Sequence, residues 1–116
     1  METHRLVLPE DLNQYGGLFG GRLLAWVDEA SWIAASLDHP GCRFVTIAMD
    51  EVVFRHSVRE GTILTILSER TKTGTTSVTY QARVFRGRPD ERTAIFSTFV
   101  TFVNLDETGA KSPLNL

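Results

Sequence analysis

Residues 13–29, Asn-Gln-Tyr-Gly-Gly-Leu-Phe-Gly-Gly-Arg-Leu-Leu-Ala-Trp-Val-Asp-Glu, join a glycine-rich loop to a helical pattern. The pattern runs from about Gly20 to Leu37 and is apolar on nearly every side. Leu23, Val27, Ala30, Ala34 and Leu37 recur at three- and four-residue steps, the spacing of one helical face. Such a helix is expected to be buried. It nevertheless carries the carboxylates Asp28 and Glu29, which are costly on a buried helix unless they have partners or a task. Gly20 and Gly21 stand at the helix entrance, where backbone N–H groups lack intrahelical acceptors and can face a ligand oxygen. The stretch therefore suggests a place where a carbonyl is polarised beside a carboxylate.

Downstream of the break at Asp38-His39-Pro40-Gly41 the texture changes to strands. Arg43–Phe54, Gly61–Arg70, Thr75–Arg86 and Arg92–Asn104 are rich in β-branched and aromatic residues. The third alternates cleanly, with Val78, Tyr80, Ala82 and Val84 on one face. Turns at Glu60-Gly61, Thr73-Gly74 and Gly87-Arg88-Pro89-Asp90 separate them. Upstream, Arg5–Leu8 reads as a short strand or extended arm ending at Pro9, and 106–116 as a flexible polar tail. Short connections favour antiparallel pairing, so the expectation is an α+β domain: one long helix laid on a curved antiparallel sheet. One layer leaves a sheet edge or the far side of the helix uncovered, and a second subunit pairing sheets edge to edge would complete it.

The 116 residues fit one domain spanning 1–116, with no internal repeat or linker. A net charge of −2 and a pI near 5.9 argue against a nucleic-acid partner. A lone cysteine, Cys42, excludes an intramolecular disulfide and a cysteine-rich zinc site, and three scattered histidines make no metal set. No apolar run is long enough to cross a membrane, and the start lacks the apolar stretch of a signal peptide. The expected setting is cytoplasmic.

Asn13-x-x-Gly16-x-x-Phe19-Gly20-Gly21, then Leu23-Leu24 and Val27-Asp28-Glu29-Ala30, resembles the hotdog-fold acyl-CoA thioesterases. The resemblance is greatest to bacterial short- and medium-chain acyl-CoA hydrolases and the cytosolic hydrolases of animals. It extends over residues 45–54, Val58-x-x-Gly61 and Gly74-Thr75-Thr76-Ser77, and so covers about Leu8 to Phe102. Phe19 stands where some relatives carry His, a departure that fits the bacterial branch better. The resemblance implies a hotdog homodimer with one continuous sheet around two central helices, often assembled further into tetramers or hexamers. It implies acyl-CoA hydrolysis without a cofactor, at sites on the dimer interface. Asp28 would act on the thioester, with Asn13 contributed by the partner subunit.

The residue chemistry fits that expectation. Amides of Gly20 and Gly21 would hold the charge that develops on the thioester oxygen. Asp28 would be general base or nucleophile, and the sequence does not separate the two. Glu29 lies about 100° further round the helix and is expected to make a structural pair. Asn13 offers both a carbonyl and an NH2 group. Arg55, Arg70, Lys72, Thr75 and Ser77 are candidates for the coenzyme A phosphates, with Arg59 and His56 as further basic groups. Alternatives are a non-catalytic acyl-CoA sensor, which would add a DNA-binding or partner domain, and a hydroxyacyl-thioester dehydratase. The dehydratase needs a histidine near the helix, and none lies between His4 and His39.

Overall fold

A computed structural model describes residues 1–90 and 94–114. Strand β1 (Glu2–Leu6) is followed by a 3-10 turn at Pro9–Asp11 and the long helix α1 (Gly20–Asp38). Strands β2 (Phe44–Phe54), β3 (Ile63–Thr73), β4 (Ser77–Arg86) and β5 (Ala94–Asn104) complete the chain. All pairings are antiparallel, in the spatial order β1-β3-β4-β5-β2. The segment expected as a strand at Arg5–Leu8 is instead β1, which pairs Glu2 with Leu67 and Leu6 with Ile63. Of the strand expected from Arg92, positions 92 and 93 lie outside the described residues.

Helix α1 packs across one face of this sheet. It buries Leu23, Trp26, Val27, Ala30, Ala34 and Ala35 against Leu64, Ile66, Val78, Tyr80, Ala82, Val84, Phe96, Val100 and Phe102. The period-two alternation of β4 puts its apolar residues on the helix side. Each large aliphatic or aromatic side chain removed from water there contributes about 1.5–3 kcal/mol. The small side chains of Ala30, Ala34 and Ala35 let the helix sit close to the strands. The buried Ser31 and Ser68 hydroxyls meet at 3.2 Å between the helix and β3.

Leu37, expected on the buried face, is 68% exposed, and Trp26 takes a place in the core. The reason is the length of β1. It starts opposite Leu67, so among the described residues no strand lies beside the far half of β3 on that edge, and Ile33 and Leu37 are exposed. The other flank, towards β2, exposes Trp32. β2 is itself an edge strand with Val45, Ile47, Val52, Val53 and Phe54 exposed.

The tail expected to be flexible over 106–116 is pinned in its described part, 106–114. The Asn104 side chain donates to the carbonyls of Ser112 and Pro113 at 3.2 and 2.9 Å. Leu114 donates its N–H to the Thr75 carbonyl at 3.0 Å and buries its side chain. Burial of one leucine and satisfaction of the Asn104 amide outweigh the polar composition that suggested fraying.

Candidate active site

The loop before α1 is built on Asn13. Its Oδ1 accepts from the backbone N–H of Tyr15 at 2.9 Å and of Gly17 at 3.1 Å, while its own N–H donates to the Gly17 carbonyl at 2.7 Å. Gly16 sits at φ +85°, a conformation that costs other L-residues about 1–2 kcal/mol. The chain can therefore turn sharply into α1. The next residue, Gly17, faces Ser57 so closely that a Cβ there would fall 2.3 Å from its hydroxyl oxygen.

Phe19 caps α1 without a side-chain hydrogen bond. The first helical bonds run from Arg22 and Leu23 to the Phe19 carbonyl. The N–H groups of Gly20 and Gly21 thus have no acceptor among the described residues, and the helix dipole adds positive potential there. A cavity of about 340 Å3 opens at this helix end, lined by Asn13, Gly20, Leu23, Phe54, Arg55 and His56 among others. Arg55 is braced from Nη1 to the Ser97 hydroxyl at 2.9 Å.

Asp28 lies eight residues along α1, about 12 Å from the amides at its start. It does not line that cavity. Its Oδ1 accepts from the Thr46 hydroxyl at 2.6 Å. Sequence reasoning passed over Thr46. The signal was present as a lone hydroxyl in the apolar run Val45-Thr46-Ile47-Ala48-Met49, on the strand that follows the helix. Arg22 is held elsewhere, with Nε 3.3 Å from the buried Asp11 carboxylate. Glu29 pairs with Arg5 at 2.7 Å, and the Arg5 guanidinium lies over the Trp26 ring.

One chain does not bring all the basic candidates together. Arg55 follows the last residue of β2, whose Phe54 pairs with Phe96. Arg70, Lys72, Thr75 and Ser77 cluster around the β3–β4 hairpin at the opposite end of the sheet, where Ser77 pairs with Val103. The Thr75 carbonyl there is taken by Leu114. Among the described residues no group of three or more His, Cys, Asp or Glu side chains could hold a metal ion. No described helix is long and apolar enough to cross a membrane.

The sequence profile of the thioesterase superfamily matches residues 15–93. An uncharacterised acyl-CoA thioester hydrolase of Bacillus subtilis (strain 168) is 32% identical over 110 residues, which cover 93% of this chain and 63% of that protein. The chain thus spans somewhat less than two thirds of that relative's length. A hexameric hotdog-fold thioesterase of Campylobacter jejuni superposes with a TM-score of 0.85 at 34% identity, over 97% of this chain and 88% of that one. An acyl-CoA hydrolase of Staphylococcus aureus, solved with coenzyme A and with an asparagine replaced by alanine, superposes with a TM-score of 0.87 at 27% identity, over 99% and 70%. A second variant of that enzyme replaces an aspartate fifteen positions later, the separation of Asn13 and Asp28 here, and a third replaces a threonine. By its sequence, its five-stranded sheet and its central helix, the chain belongs to the thioesterase superfamily and has the hotdog fold.

Proposed function

We propose that the chain is one subunit of a homodimeric acyl-CoA thioester hydrolase whose site is shared between two copies. The observation that carries this is the separation of the two chemical groups. The free amides of Gly20 and Gly21 and the carboxylate of Asp28 are both suited to a thioester, yet in one chain they stand about 12 Å apart along the helix. They can converge on one carbonyl only if a second copy brings its helix start to this chain's Asp28. The exposed edge strand offers the means. Phe54 lies against Gly20, with its ring 3.5 Å from where a Cβ would be, and Thr46 lies against Asp28. Antiparallel pairing of two β2 strands about an axis near Asp50 sets Thr46 opposite the partner subunit's Phe54. That register brings Asp28 to the partner subunit's Gly20.

In this arrangement the amides of Gly20 and Gly21 hold the thioester oxygen as it gains charge. Asp28, oriented by Thr46, takes a proton from the attacking water. The tetrahedral intermediate collapses with cleavage of the C–S bond, and the proton passes to the departing thiolate. The products are a carboxylic acid and coenzyme A. Direct attack by Asp28, giving an anhydride that water then opens, uses the same groups. Asn13 positions the water or the oxygen through its NH2 group. Arg55 and His56 face the phosphates, and Arg70, Lys72, Thr75 and Ser77 would reach a coenzyme A bound to a neighbouring subunit. Only protein groups and water take part in these steps. We further read residues 1–116 as one hotdog domain, its dimers assembling to a tetramer or to a hexamer like that of the Campylobacter relative, in the cytoplasm.

The test is thiol release from acyl-CoAs ranging from acetyl to palmitoyl, with Asp28→Ala and Thr46→Val alongside. Asp28→Ala should lower kcat by about 10^2–10^4, the contribution of a positioned acid–base group. Thr46→Val should lower it by about 10–100, the weight of a hydrogen bond to a charged group. Turnover unchanged in folded Asp28→Ala sinks the assignment, and tight acyl-CoA binding without hydrolysis by the unaltered chain would make it a binder.

A further inference from the structure

The two residues that carry the free amides, Gly20 and Gly21, are also the loosest with which a helix can start. Glycine loses more conformational freedom on being fixed than any other residue. Amides that meet a developing charge have to be aimed before the charge appears, because reorganisation during the reaction would cancel what they contribute. A stiffer residue at position 21 would bring its Cβ to 3.1 Å from the Phe19 ring, so the rigidity has to come from outside the pair.

Asp11 supplies it from beneath. The residue is 6% exposed. Its backbone carbonyl accepts from the Phe19 N–H at 2.9 Å, immediately before Gly20. Its carboxylate reaches Arg22, immediately after Gly21, with Oδ1 3.3 Å from Nε. Oδ2 accepts from the Leu8 N–H at 2.9 Å, at the start of the 3-10 turn. One buried residue thus grips the chain on both sides of Gly20-Gly21. The grip extends to Asn13. Leu12 bridges Leu18 in antiparallel fashion, and the Asn13 N–H donates to the Gly17 carbonyl. Residues 11–19 are therefore a small hairpin with Asp11 at its base and Asn13 towards its tip. A buried ion pair adds little net stability compared with an apolar replacement. What this one adds is direction at the first turn of α1.

We infer that Asp11, through Arg22 and the Phe19 N–H, is a positioning residue for the amides of Gly20 and Gly21. It does not touch the substrate. This rests on the hydrolase reading and adds to it the group that keeps the amides aimed at the thioester oxygen.

The test measures kcat and KM for thiol release, with thermal melts, in Asp11→Asn, Arg22→Gln, the double variant and Tyr80→Phe. Asparagine has a single acceptor oxygen and cannot serve Leu8 and Arg22 as the two carboxylate oxygens do. Amides that act on the developing charge are read in kcat. Each single variant should lower kcat at least fivefold with KM changed less than twofold. The double variant should fall no further than the worse single one, because either change undoes the same pair. Tyr80→Phe, which loses its bond to Asp38 about 27 Å along α1 from Gly20, should melt lower with kcat unchanged. Lost stability alone then does not account for a fall in kcat. Arg22 is half exposed, so Arg22→Gln decides the matter where Asp11→Asn does not fold. Folded variants with kcat within twofold of the unaltered chain, or losses that multiply in the double variant, would overturn the positioning role. So would a raised KM at constant kcat, which would make Arg22 a phosphate contact. No thiol release by the unaltered chain from any acyl-CoA would overturn the hydrolase reading itself and the positioning role with it.

Discussion

The two ends of the Asn13 amide stand in different surroundings, and the proposed site uses the second of them. Its oxygen is used up in the loop, accepting from Tyr15 and Gly17, and its NH2 group has no acceptor among the described residues. A loop former needs only the oxygen, whereas a group acting on water or thioester needs the NH2. Asn13→Asp separates them, because aspartate keeps the acceptor and loses the donor. The expected outcome is a melting temperature close to that of the unaltered chain with kcat/KM lowered by about 10–100, the weight of a hydrogen bond that strengthens as charge develops. Parallel thermal melts and thiol-release assays decide it, and full activity in Asn13→Asp would reduce Asn13 to a turn residue. The same division explains what could be read in advance. Asn13, Gly20 and Asp28 enter the proposed site through residue type and spacing. Thr46 does not, because a threonine in a strand is ordinary until the strand is seen beside Asp28.

Periodicity carries elements well and their lengths poorly. Helix α1 and strands β2 to β5 follow from runs of apolar residues at steps of 3.6 and 2, and the sheet face of β4 is read directly from its alternation. β1 is harder, because Glu2-Thr3-His4-Arg5 has too few apolar residues to mark a strand and is held by its backbone ladder to β3. Its shortness in turn decides which helix residues are open, which no helical wheel of α1 alone reveals. The far end of the helix is fastened another way. Tyr80, buried in β4, donates its hydroxyl to the Asp38 carboxylate in the last turn of α1. Burial first, then that hydrogen bond and the charge of Asp38, raise the phenol well above its ordinary pKa of 10.0. The folded chain thus keeps this proton when the unfolded chain loses it. The stabilisation is complete below pH 10 and declines as the pH rises above it. Urea midpoints measured from pH 8 to 11.5 should fall more steeply above pH 10 for the unaltered chain than for Tyr80→Phe, and parallel curves would show that the pair does not link folding to protonation.

A single copy of this chain leaves apolar surface where a monomer would not. Val45, Ile47, Val52, Val53 and Phe54 are exposed on an unpaired edge strand, and Trp32 is exposed on the helix flank beside it. Edge strands of monomers are usually blunted by charge or covered, and the opposite edge here, β1, is short and carries Glu2, His4 and Arg5. The asymmetry supports β2 as the pairing edge. The shared site then makes a demand that a site within one chain does not. On the proposed reading, each site of a two-fold dimer takes Asp28 from one copy and Asn13 with the helix start from the other. A dimer of one Asp28→Ala chain and one Asn13→Asp chain concentrates both defects in one site and leaves the other intact. If the two impaired proteins are co-expressed in equal amounts and pair at random, about half of the dimers are mixed, each with one good site, so activity should rise to about a quarter of the unaltered level. If both groups served the same chain's substrate, every site in the mixture would carry one defect and activity would stay at the mean of the two variants measured alone. Ile47→Lys in both chains, which places a charge on the pairing edge, should abolish the recovery and shift the mass measured by light scattering to that of the monomer. Recovery that persists in a monomer would overturn the shared site.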